Sequence, residues 1–218
     1  FIIAEAGVNH NGDMALARQL VEAAVSIGAD AIKFQTFQAE LVATHNAPKA
    51  EYQKQTTDAQ ESQLEMIKKL ELSPEDHREL VSFCRKKHIT FLSSPFDEPS
   101  VDLLAELAVP AFKIPSGEIT NFPLVTRVAR NGKPMIISTG MAYLSEVESV
   151  VRAIEEAGNS DYVLLHCVSN YPADPADINL AAMGTMAAAF GAPVGYSDHT
   201  PGIEVSLAAV AMGACMIE

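Results

Sequence analysis

Two lysines sit in surroundings that lysines seldom occupy. Lys33 lies within Ala31–Gln35 and Lys113 within Ala111–Ile114, both short and otherwise largely apolar runs. An ammonium group taken out of water without a partner is costly, so each needs an anion beside it. Two arrangements satisfy that need. One is an internal pair with a carboxylate such as Glu5 or Glu118, and the other is a bound anionic ligand. Four serines bear on the choice, because Ser94, Ser116, Ser138 and Ser197 each follow a different apolar run. Small hydroxyl donors beside glycines suit a phosphate or a carboxylate. Together with the lysines they point to a small ligand whose phosphate and carboxylate groups are bound separately.

Other polar groups fall at equivalent places. Glu5 and Glu218 end the first and last apolar runs, and such a pair can bind sugar hydroxyls or serve as general acid and base. Gln35 and Tyr171 add neutral hydrogen-bonding groups, as a polyol or amino-sugar pocket requires. His199, after Ser197-Asp198, is the best metal candidate, ahead of His10 and His166, whose places in a turn and a strand hydrogen bonding alone explains. No HxH or HExxH spacing or carboxylate cluster offers a ready-made metal cage.

The elements that must position these groups alternate. Apolar runs at Phe1–Ala4, Ala31–Gln35, Thr90–Ser93, Ala111–Ile114, Pro134–Ile137, Tyr162–Leu165, Pro193–Tyr196 and Ala214–Ile217 read as strands buried on both faces. Between them the spacing predicts helices over Asp13–Ile27, Ser73–Lys87, Glu98–Leu107, Phe122–Arg130, Leu144–Ala157, Leu180–Phe190 and Ile203–Met212. Ser73-Pro74-Glu75-Asp76 has the form of a helix start, and Ser145-Glu146-Val147-Glu148 that of a capping box. Eight strands and seven helices fit an open doubly wound sheet or a closed (β/α)8 TIM barrel. The barrel is favoured, because no Gly-rich loop follows the first strand and polar residues end nearly every strand. On that count residues 1–218 form one domain, lacking an eighth helix after Glu218. The long connection Gln38–Leu72, with His45-Asn46-Ala47-Pro48 and Glu61-Ser62-Gln63-Leu64-Glu65, reads as a lid or as a solvated insertion with a short helix near Gln63–Leu70.

Composition narrows the partners. A net charge of −13 argues against a nucleic-acid ligand but leaves small anions open, since these respond to local lysines. No apolar run approaches the ~20 residues of a membrane span. The start at Phe1 suggests that the natural N-terminus lies further upstream. Cys84, Cys167 and Cys215 are too few and too irregularly spaced for a disulfide framework. They read as buried apolar groups in a protein of the reducing cytoplasm.

Seven motifs in order resemble the N-acetylneuraminate (sialic acid) synthase family. They are Glu-x-Gly-x-Asn-His at 5–10, Lys-x-Gln at 33–35, Ser-Ser-Pro-Phe at 93–96, Lys-Ile-Pro-Ser-Gly-Glu at 113–118, Ser-Thr-Gly-Met at 138–141, His-Cys-x-Ser-x-Tyr-Pro at 166–172 and Ser-Asp-His-Thr at 197–200. The resemblance implies a TIM barrel followed by a small antifreeze-like domain, and a domain-swapped homodimer. It implies condensation of phosphoenolpyruvate with N-acetylmannosamine or a related N-acyl amino sugar, with release of phosphate. Bacterial members that use 2,4-diacetamido sugars to make legionaminic or pseudaminic acids are the alternative, and a non-catalytic ligand-binding barrel is a further one. Related sugar-phosphate synthases are less favoured, because no arginine lies in a strand-end motif.

Carried over by residue, Lys33, Ser94, Lys113, Ser116, Ser138, Ser169 and Ser197 look like phosphoenolpyruvate contacts, with Lys113 also counted among the catalytic groups. Glu5, Gln35, Tyr171 and Glu218 look like sugar-side groups, either glutamate being a candidate base. His199 looks like one ligand of a divalent metal, manganese or alternatively magnesium. The family's second ligand would lie two residues past Glu218.

Overall fold

The structure is a computed structural model that describes residues 1–44, 47 and 61–218. Its elements run in the order β1 Ile3–Gly7, α1 Met14–Ser26, β2 Ala31–Thr36, α2 Ala39–Val42, α3 Gln63–Lys68 and α4 Pro74–Lys86. Then come β3 Thr90–Pro95, α5 Glu98–Glu106, β4 Phe112–Ile114, α6 Phe122–Ala129, β5 Met135–Ser138 and α7 Leu144–Glu156. The last are β6 Tyr162–His166, α8 Ala181–Phe190, β7 Val194–Tyr196 and α9 Glu204–Ala211. The strands pair in parallel in two sheets, β1-β2-β3 and β4-β5-β6-β7. Helical crossovers cover the outer faces, which is why the strands carry apolar residues on both sides. Val21, Leu80, Leu104, Val128 and Ile154, one from each of five helices, are among the buried residues packed with the strands.

The segment after α9 links the two sheets. Tyr196 N donates to Met216 O at 2.9 Å and Glu218 N to Tyr196 O at 3.0 Å. On its other side Ile3 N donates to Ile217 O at 2.8 Å and Ile217 N to Phe1 O at 2.9 Å. The predicted eighth strand is thus reduced to single bridges at Ile217 with Ile2 and Tyr196.

The feature that builds the site is a two-residue offset. A second, smaller cluster gathers Ile3, Ala31, Leu92, Ile136 and Leu165 with Ala111 and Met216, from strands of both sheets. Side chains two apart on a strand share a face. Each of these apolar residues is therefore followed, on its own face, by a polar or thiol group. In order these are Glu5, Lys33, Ser94, Ser138, Cys167, Lys113 and Glu218. An apolar layer thus forms the floor and a polar layer lies on it.

Other expectations change in detail. Ser73 does cap its helix, its hydroxyl accepting from Asp76 N at 3.1 Å while Asp76 Oδ2 accepts from Ser73 N at 2.9 Å. The capping pattern at Ser145 does not start a helix there. The helix begins one residue earlier at Leu144, and Glu146 accepts instead from Tyr143 N at 2.7 Å. The short helix expected near 63–70 is present over Gln63–Lys68, capped by Ser62. The lid reading of Gln38–Leu72 falls largely outside the described residues. Cys84 and Cys167 are buried, but Cys215 is exposed, because its backbone bonds to Val194 O and Phe1 N while the side chain faces out.

Candidate active site

The strand ends surround a cavity of about 860 Å³. Eleven of the twelve residues picked out from the sequence line it: Glu5, Lys33, Gln35, Ser94, Lys113, Ser116, Ser138, Tyr171, Ser197, His199 and Glu218. Strand register brings the first of them together. Glu5 is opposite Lys33, and Gln35 is opposite Ser94. The twelfth, Ser169, stands behind the wall. Its hydroxyl lies 3.2 Å from that of Ser116.

Of the two arrangements open to the lysines, the structure displays the internal pairing. Lys33 Nζ is 2.6 Å from Glu5 Oε2 and 3.6 Å from Glu218 Oε1, and Lys113 Nζ is 3.1 Å from Glu218 Oε2. Glu118 takes no part, since its carboxylate accepts from Asn121 Nδ2 at 2.7 Å in the turn after β4. The two ammonium groups and the Glu218 carboxylate have side chains no more than 6% exposed, and such charges persist only when paired.

The four groups titrate differently. Burial opposes the charge on Glu218, but Lys113, Lys33 and the Ser197 hydroxyl outweigh it and hold the carboxyl at about 2. Burial pushes the Glu5 carboxyl above its ordinary value; Lys33 offsets this only in part, and Glu218 adds repulsion. Burial lowers both ammonium groups. For Lys33 the two glutamates more than compensate, and it sits above the ordinary lysine value. For Lys113 Glu218 compensates only in part while Lys33 repels, so it sits below. The two glutamates thus shift in opposite directions, as do the two lysines.

Two serines present unused hydroxyls. Ser94 Oγ is buried without a hydrogen-bond partner, and Ser138 Oγ has none beyond the neighbouring Cys167 thiol. Ser197 Oγ donates to Glu218 Oε2 at 2.7 Å. Gly140, at φ +50°, lets the backbone after β5 pass close to Ser116 and Ser169; a Cβ there would lie 2.4 Å from Ser116 Cβ and 2.7 Å from Ser169 Oγ. The rings of Tyr171 and His199, both in the cavity lining, lie with centroids 4.0 Å apart and planes tilted by 33°. His199 Nδ1 donates to Val168 O at 2.6 Å, which leaves Nε2 as the free nitrogen.

For a metal, the described residues offer little beyond that nitrogen. Among them, no three His, Cys, Asp or Glu side chains gather to hold an ion. His10 and His166 are buried and outside the cavity lining. His10 Nδ1 accepts from Gly12 N at 3.0 Å, and His166 packs on Tyr196. Eight lining residues carried no functional reading from the sequence, Cys167 and Asp198 among them. Cys167 resembled a core thiol, and only its place two residues after Leu165 marks it. Asp198 stood inside a recognised motif without a role of its own.

The NeuB family profile matches residues 20–218. The chain belongs to the NeuB family. It is 52% identical over its whole length to N,N'-diacetyllegionaminic acid synthase of Campylobacter jejuni and 54% identical to that of Legionella pneumophila, spanning 66% and 62% of their lengths. Among solved structures, the N-acetylneuraminic acid (sialic acid) synthetase of Leptospira borgpetersenii, in complex with citrate, superposes with a TM-score of 0.89. The two are 38% identical, and the match covers all of this chain and 71% of that one. The chain thus spans roughly two thirds of these curated NeuB relatives. Among its described residues no helix is long and apolar enough to cross a membrane.

Proposed function

We propose that residues 1–218 form one (β/α)8 barrel domain, closed by the segment around Ile217 and by apposition of β3 and β4. In this reading the cavity condenses phosphoenolpyruvate with an N-acyl amino sugar to give a nine-carbon 2-keto acid and phosphate. The observation that carries it is that Lys33, Lys113 and the unused hydroxyls of Ser94 and Ser138 all belong to the lining of one cavity. These groups suit a phosphate and a carboxylate; Glu5, Gln35 and Tyr171 in the same lining suit a polyol.

Lys33, Lys113, Ser94, Ser116, Ser138 and Ser197 would bind the enolpyruvate, with Ser169 supporting Ser116 from behind. Its C3 carbon attacks the aldehyde carbon of the open-chain sugar, forming the C–C bond, and the aldehyde oxygen takes up a proton. Glu5 lines the cavity and its carboxyl is raised above the ordinary value where that of Glu218 is lowered, so it is the better suited of the two to pass that proton. Water adds at C2, and the tetrahedral centre collapses with C–O cleavage to the ketone and inorganic phosphate. Glu218, held ionised by both lysines, keeps them in place rather than moving protons. Fixing both reactants in near-attack geometry supplies much of the acceleration. A divalent cation, manganese or magnesium, would find one nitrogen in His199; the described residues do not amount to a metal site.

For the sugar, the two legionaminic acid relatives support a 2,4-diacetamido substrate over N-acetylmannosamine. The test is phosphate release and product mass spectrometry with a panel of both sugars. A nine-carbon product from the diacetamido sugar is expected. Exclusive turnover of N-acetylmannosamine would overturn the sugar assignment, and no product from any sugar in the longest natural form of the protein would overturn the reaction. A homodimer capped by a swapped domain is proposed for that form, with gel filtration as its check.

A further inference from the structure

We infer that Asp198 is a positioning residue, whose carboxylate fixes the turn that aims His199 Nε2 into the cavity. Its Oδ1 accepts from Thr200 N at 2.8 Å, Thr200 Oγ1 at 2.7 Å and Tyr196 Oη at 3.2 Å. Its Oδ2 accepts from Ser206 Oγ, on α9, at 2.5 Å. One side chain thus ties together β7, the following turn and a helix. Three of the four donors converge on Oδ1 and one on Oδ2, so most of the acceptor capacity of this carboxylate is spent within the protein.

The bond from Thr200 N closes an Asx turn, in which a side-chain oxygen replaces a backbone carbonyl. His199 is the residue enclosed by that turn. Its own carbonyl accepts from Ala173 N at 2.9 Å, and its Nδ1 donates to Val168 O at 2.6 Å. A carbonyl can only accept, so Nδ1 carries the proton and Nε2 is bare. The aim of Nε2 therefore depends on two anchors, the loop after β6 and the Asp198 turn. A group that sets ring orientation and tautomer without touching the ligand acts as an outer-layer support. The inference rests on the proposed function only in giving His199 a role there.

The test is a two-bond ¹H–¹⁵N correlation spectrum of the histidine rings at alkaline pH, with the His199 signal assigned by its loss in His199→Gln. The wild-type chain should show the Nδ1–H form. Asp198→Ala should show a mixture of tautomers while keeping a native circular dichroism spectrum, and Asp198→Asn, which retains an acceptor oxygen for Thr200 N, should restore the wild-type pattern. A wild-type pattern in Asp198→Ala, or an Asn variant as mixed as the Ala variant, overturns the inference. If the Ala variant does not fold, Asp198→Glu decides: its longer side chain carries the acceptor oxygen away from Thr200 N while keeping the charge, so a mixed pattern supports the role and a wild-type pattern overturns it. The tautomer reports the turn whether or not phosphoenolpyruvate binds, so either reading can fail alone.

Discussion

Glu218 lies against Lys113, Oε2 to Nζ 3.1 Å, and the same oxygen accepts from Ser197 Oγ at 2.7 Å. One carboxylate thus engages a cation and a hydroxyl that the proposed function assigns to an anionic ligand. It keeps the lysines charged and in place, and a ligand must share them with it. Lys113→Ala should weaken phosphoenolpyruvate binding at least tenfold by calorimetry; unchanged affinity would remove Lys113 from the anion site. The same change leaves Glu218 with the Ser197 hydroxyl and, as its cation, Lys33 at 3.6 Å. Breaking a buried pair from one side costs about 3 kcal/mol, which urea unfolding will register.

Acid should act through Glu218. Its carboxyl titrates near 4.5 when free and at about 2 in the fold. The folded state binds the proton more weakly, so this stabilisation is complete above about 4.5 and is lost as pH falls towards 2. The side chain is 6% exposed, and a difference of this size corresponds to about 3 kcal/mol. Unfolding midpoints measured between pH 5 and pH 2 should fall more steeply for the wild type than for Glu218→Gln. Equal slopes would contradict the assignment.

Ser94 and Ser138 should show the opposite signature from a structural hydroxyl. Burying an unpaired hydroxyl is unfavourable, so Ser94→Ala and Ser138→Ala should leave stability within about 1 kcal/mol of wild type or raise it. Each should weaken phosphoenolpyruvate binding about tenfold or more, since hydrogen bonds to charged groups contribute about 1.5–3 kcal/mol. A large loss of stability with unchanged binding would make them packing residues.

Gly140 is constrained twice, by its φ of +50° and by the 2.4 Å approach a Cβ would make to Ser116 Cβ. Gly140→Ala should cost about 3 kcal/mol from overpacking and left-handed strain together. It should also displace Ser116, so binding is expected to fall in parallel with the unfolding midpoint. Tolerance of alanine on both counts would show that the backbone there can move.

The sequence by itself determined the alternation, the parallel strands and most of the residues that line the candidate site. Those features are local: a buried strand is short and apolar, and a polar residue at its end stands out against that background. Lys33 and Lys113 were legible because an ammonium inside such a run demands an anion. The family resemblance rested on the same strand ends. Only the tertiary structure decided how the charges pair, since Glu5 and Glu218 are 213 positions apart and meet at Lys33 through the arrangement of the sheets. It also excluded Glu118, drew Cys167 into the polar layer, moved Ser169 behind Ser116 and made Asp198 the hub of the His199 turn. Each of these depends on which face a side chain takes and which strand lies beside it. Composition and spacing along a single strand do not contain that information.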